Sequence, residues 1–169
     1  MIIVESLKIK CKMKLNSQIC TSREQSERLL ALGLKKETAD MEIWFDPNQI
    51  ESRQISVIPQ GYFLDFYKES LISQGSIFAP SWTFDRLLEL MPEDIVKEDC
   101  TCFQHNKCTI QFCLSTTPFY NSVEYGMPAF FNMQYLHRER KGSRIESAIA
   151  MCEWLIKEGY FNKKYLCEK

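Results

Sequence analysis

The stretch from Ser143 to Gly159 constrains this chain more than any other. Ser143 and Glu146 have the spacing of a capping box, in which each side chain satisfies an amide that the first helical turn leaves free. Ile145, Ala148, Ile149, Cys152, Leu155 and Ile156 then recur at intervals of three and four, and Gly159 supplies a residue that readily takes the left-handed conformation ending a helix. A stripe this apolar must be buried, so the rest of the chain has to build a core around it. Beyond the glycine, Tyr160, Phe161, Tyr165 and Leu166 are expected to fold back as a short terminal turn.

Two further helices carry similar punctuation. Thr21 and Ser22 are followed three residues on by Glu24 and Gln25, Leu29, Leu30 and Leu32 lie on one side, and Gly33 with Leu34 provides a stop, which predicts a helix over 22–32. Pro80 and Ser81 read as the opening of another, with Trp82, Phe84, Leu87, Leu88 and Met91 as its stripe and Pro92 closing it. At 62–73 the aromatics Tyr62, Phe63, Phe66 and Tyr67, with Leu71, are spaced for one helical face, and a strand is the competing reading.

Strand patterns fill the intervals. At 4–15, Leu7, Ile9, Cys11, Met13 and Leu15 alternate with Lys8, Lys10, Lys12 and Lys14, the period of a half-buried strand. Lysines on one face favour an edge strand protected from sheet-to-sheet association over a phosphate-gripping surface. Residues 37–40 read as a single turn, and Met41, Ile43 and Phe45 as a brief strand ended by Asp46, Pro47 and Asn48. An apolar run at 55–58 is stopped by Pro59, and 100–136 reads as a hairpin followed by a further strand or ordered loop. The expected fold is α+β, about three α-helices packed on a small, mainly antiparallel β-sheet, in one domain spanning 1–169. Met1 and Met13 are both candidate starts, the second leaving 1–12 as an N-terminal extension.

Charge and composition narrow the function. Twenty-one basic residues against 22 acidic give a net charge of −1, which supplies no long-range field toward nucleic acid, and that partner class is disfavoured. A helix-turn-helix at 22–41 is disfavoured too, since its second helix would be short and acidic at Glu37 and Asp40. The apolar runs are too short for a membrane helix and no signal-peptide pattern opens the chain, so the expectation is a cytoplasmic protein without membrane contact. Its eight cysteines are then expected to be reduced.

Cys100, Cys102, His105, Cys108 and Cys113 fall close together, and thiolates with imidazole are the ligands zinc prefers. The spacing is not that of the familiar Cys-x-x-Cys turns. If the segment turns at Asn106 and Lys107, Cys100 stands opposite Cys113, and Cys100, Cys102 and Cys113 share one face while His105 and Cys108 take the other. Those three thiols are the candidate metal or redox set, with packing thiols as the plainer reading. No nucleophile elbow, phosphate-binding glycine loop, His-Glu-x-x-His or dinucleotide fingerprint is present, and the enzyme reading leans negative. His137 reads as part of a solvated charged loop, and Asp40, Glu42 and Asp46 as carboxylates that either converge or simply lie on an exposed strand edge.

Tyr125, Met127, Phe130, Phe131 and Tyr135 crowd a short stretch, a composition favoured at protein contacts when exposed and equally suited to a second core layer. The order of the segments TSREQSERLLALGL at 21–34, TADM at 38–41, PSWTFDRLLELMP at 80–92 and CEWLIKEGY at 152–160 resembles an uncharacterised family of small proteins from prophages and mobile elements of anaerobic gut bacteria. That resemblance implies an accessory protein of a mobile element and carries no catalytic residue across. The functional expectation is a non-enzymatic module with a protein partner, the alternative being a thiol-ligated metal-binding or redox-sensing protein.

Overall fold

A computed structural model describes residues 18–45, 56–97, 108–117, 120–128 and 133–168. Along the chain run α1 (Arg23–Ala31), β1 (Met41–Phe45), β2 (Ser56–Pro59), α2 (Asp65–Ser73), β3 (Ile77–Ser81), α3 (Phe84–Leu90), β4 (Asp94–Lys97), β5 (Cys108–Thr117), β6 (Tyr120–Pro128), β7 (Met133–Lys141) and α4 (Arg144–Glu158). Short 3₁₀ turns occupy Lys36–Thr38 and Lys163–Tyr165. The strands form two antiparallel sheets, one ordered β2-β1-β3 and the other β4-β5-β6-β7. The fold is therefore α+β as expected, with four helices among the described residues where about three were anticipated, and two sheets where one was.

The predicted stripe of α4 is what holds the molecule together. Ile145, Ala148, Ile149, Cys152 and Leu155 are buried, packed with Val123 and Tyr125 of β6, Leu29 of α1, and Leu87 and Leu90 of α3. Each leucine, isoleucine or valine so withdrawn from water contributes roughly 1.5–3 kcal/mol before entropy is counted. Phe161 returns to this core, and Leu166 bridges back to Leu34, as the terminal turn requires.

The caps follow the sequence closely, with one substitution of partners. At α1 the box is complete: Gln25 N–H donates to Ser22 Oγ (3.3 Å) and Ser22 N–H to Gln25 Oε1 (2.8 Å). At α4, Glu146 N–H donates to Ser143 Oγ (3.2 Å), while the Glu146 carboxylate accepts from Gln25 Nε2 (2.5 Å) and Arg28 Nη1 (2.8 Å) of α1. The second acid of the expected box thus ties two helices together. Gly33 (φ 96°) and Gly159 (φ 79°) end α1 and α4 in the left-handed region, where a Cβ would be strained.

The helix expected to open at Pro80 and Ser81 begins later. Both residues lie in β3, where Pro80 pairs opposite Glu42; β3 is an edge strand, the position in a sheet that tolerates a missing amide donor. Trp82 is fully buried between strand and helix and its indole N–H donates to Thr38 Oγ1 (3.0 Å). Thr83 caps α3 by accepting from Arg86 N–H (3.2 Å), and the Asp40 carboxylate in turn accepts from Thr83 N–H (2.9 Å) and hydroxyl (2.5 Å). The ambiguous segment at 62–73 is helical over Asp65–Ser73, with no side-chain cap at Leu64 to announce it. The alternating segment at 4–15 and the turn at Asp46, Pro47 and Asn48 lie outside the described residues.

Candidate interaction surface

Across β1 and β3, Trp44 pairs with Phe78, and the two rings stack at 6.3 Å on one face of the three-stranded sheet. Phe63, in the lead-in to α2, meets Trp44 edge-on at 5.3 Å and Phe78 at 6.0 Å. One turn into the helix, Lys68 lies over the Phe78 ring (4.9 Å) and pairs with Glu42, a carboxylate only 9% exposed. These contacts pin α2 to the sheet from one side. The Trp44 indole N–H is buried among them and has no hydrogen-bond partner.

The rest of α2 and its lead-in faces water. Tyr62, Leu64, Phe66, Tyr67 and Ile72 are exposed, Phe66 to 71%, and α2 contains no buried residue. Scattered exposed apolar residues are ordinary, but five of them around one short helix and its approach form the kind of patch that marks a contact surface. Asp65 and Glu69 punctuate it with negative charge. The sequence places Tyr62, Phe63, Phe66 and Tyr67 on one helical face, but spacing alone cannot say which face of a helix meets the sheet.

The segment singled out for interaction is placed differently. Tyr125 is fully buried, its hydroxyl donating to the Pro92 carbonyl (2.5 Å) and its ring packed against Phe112 and Trp154. It belongs to the core-layer alternative and is not available to a partner. Met127 and Tyr135 fall on β6 and β7, and Phe130 and Phe131 lie outside the described residues.

Of the thiol set, Cys100 and Cys102 lie outside the described residues, as does His105. Cys108 and Cys113 are on β5, but Cys108 pairs with Lys97, which displaces the hairpin from the expected turn centred on Asn106 and Lys107. Cys113 stands opposite Glu124 of β6, beyond the far end of the β4 ladder, and its expected partner Cys100 lies outside the described residues. Among the described residues no group of three or more His, Cys, Asp or Glu is placed to hold a metal ion. Burial pushes the thiols of Cys20 and Cys152 upward, away from the thiolate form that a nucleophile or metal ligand requires; Cys167 is exposed.

The titratable groups of β7 and of the α1–α4 cleft are partnered with one another. His137 is on β7, not in a solvated loop; its ring stacks on Trp154 at 4.2 Å and its Nε2 contacts Glu139 Oε1 (2.8 Å), which the alternation of β7 toward α4 explains. A cleft of about 1020 Å³ between α1, β7 and α4 is lined by Arg28, Glu139, Lys141, Glu146 and Glu153. Arg28 there bonds both Glu146 and Glu153 at 2.8 Å, and Lys141 lies 3.2 Å from Glu139. Burial opposes the charge on Glu146, but hydrogen bonds from Arg28 and Gln25 outweigh it and hold the carboxyl below its ordinary range. Asp40 and Glu42 do not converge: the first supports the cap at Thr83 and the second pairs with Lys68; Asp46 lies outside the described residues.

No protein-family model, curated protein or solved structure matches the chain. No helix of the described residues is long and apolar enough to cross a membrane.

Proposed function

We propose that this protein is a non-enzymatic interaction module whose contact element is the outer side of α2 with its lead-in. The observation that carries the reading is a helix with no buried residue that presents Leu64, Phe66 and Ile72 to water. Leaving Leu or Phe exposed forfeits roughly 1.5–3 kcal/mol per side chain, which a partner that covers them recovers. The accessory role implied by the resemblance to mobile-element proteins agrees with such a module. Its partner is expected to be a protein, since the net charge of −1 favours no polyanion.

Affinity capture from the native host, with and without nuclease, tests this by mass spectrometry. A stoichiometric protein that survives nuclease supports the module, and a partnerless chain counts against it. The thiol-metal alternative has its own readout: protein purified anaerobically without a metal-affinity tag should carry substoichiometric zinc and iron. Stoichiometric metal, lost when Cys100, Cys102 and Cys113 are replaced by Ser, would displace the interaction reading.

A further inference from the structure

The three-stranded sheet has a second face, opposite Trp44 and Phe78. The register sets Ile43 beside Val57 and Ala79, and Phe45 beside Ile77, so these five side chains share it. Together with residues 18–24 they line a groove of about 660 Å³. Its apolar floor is open along the two edge strands, where Val57 is 42% and Ile77 44% exposed, while Ile43 on the central strand is buried; Ile19 on its wall is 71% exposed. The other apolar sheet faces are already covered, the Trp44 face by Phe63 and α2, and the Val123 and Tyr125 face of the second sheet by α4.

The chain itself leads into this groove, since Gln18 is part of the lining. The preceding sequence alternates Leu7, Ile9, Cys11, Met13 and Leu15 with four lysines, a pattern that has one apolar face to bury and one charged face to leave in water. Extended at about 3.3 Å per residue, residues 7–15 reach roughly 30 Å, enough to cross three strands spaced about 4.8 Å apart. A segment tethered at the rim also enters at an effective concentration on the order of millimolar, ahead of a free competitor.

We propose that the groove over Ile43, Phe45, Val57 and Ile77 is the docking site of this chain's own residues 7–15, whose apolar set Leu7, Ile9, Cys11, Met13 and Leu15 matches its apolar floor. The surface is distinct from the outer side of α2, so the two assignments stand or fall separately.

Hydroxyl-radical footprinting of the full chain reads side-chain accessibility directly. Phe45 and Ile77 should oxidise several-fold faster in Leu7→Ser/Ile9→Ser/Met13→Ser than in the wild-type protein, while Leu64 and Phe66 on α2 and Leu155 in the core stay unchanged. Equal rates at Phe45 and Ile77 in the two proteins overturn the proposal, as does protection that disappears on dilution, which would mark a second copy as the occupant. If Leu155 also becomes reactive, the variant has lost its fold. The reciprocal pair Val57→Ser/Ile77→Ser then decides: faster oxidation of Met13 with Leu155 still protected supports docking, and an unchanged Met13 rejects it.

Discussion

Glu124 shows how much a single residue can depend on tertiary surroundings. It is 2% exposed, paired to Arg138 on the neighbouring strand at 2.8 Å, and accepts the Ser122 hydroxyl. A buried carboxylate that loses its cation is left desolvated without compensation, so Arg138→Met is expected to cost about 3 kcal/mol in urea denaturation. A loss below the error of the measurement would show that the pair is not needed. In the sequence, Ser122 and Glu124 alternate with Val123 and Tyr125 as though they formed the solvent face of β6. Their burial was not legible, because alternation identifies two faces without saying whether the polar one is covered.

Glu146 gives a pH signature. Its folded carboxyl lies below the ordinary value, so the unfolded chain binds that proton more readily. The stabilisation is complete above the ordinary glutamate pKa of about 4.3 and is lost as pH falls from there toward the folded value. Glu146→Gln should therefore lower stability at neutral pH and flatten its decline on the acid side, measured by thermal melts across that range. Alkylation offers a second check: among Cys20, Cys152 and Cys167, the exposed Cys167 should react first and the buried Cys152 only on unfolding.

At the scale of elements, legibility followed local chemistry. The ends of α1 and α4 were readable because caps and left-handed glycines are determined by the residues at hand. Gly159→Ala should cost about 1 kcal/mol, since the alanine Cβ is strained at φ 79°, and an unchanged melting temperature would contradict the assignment. Where the sequence misled, two local rules competed. Pro80 suits the first turn of a helix and also an edge strand, and pairing with β1 decided for the strand. The aromatics of 62–73 fit two periods, and α2 lacks the cap that would have separated them.

For the whole molecule, the question was which aromatic cluster is covered. Composition singles out Tyr125 and its neighbours for interaction and not Tyr62, Phe66 and Tyr67, but β6 runs beneath α4 and buries Tyr125, whereas α2 rides on the outside of the smaller sheet. That difference arises from how distant segments pack and has no local signature. The polar cleft along α1 and α4 was equally hidden, since Arg28 is more than a hundred positions from both Glu146 and Glu153 before the fold brings them together.

The most direct test of the α2 surface compares capture by the wild-type chain with capture by Leu64→Ser/Phe66→Ser. Both residues are exposed, so the variant should keep its stability within about 0.5 kcal/mol. The account predicts that this folded variant loses the partner the wild-type protein retains. A folded variant that captures the same partner in the same yield would contradict it and move the contact surface elsewhere on the molecule.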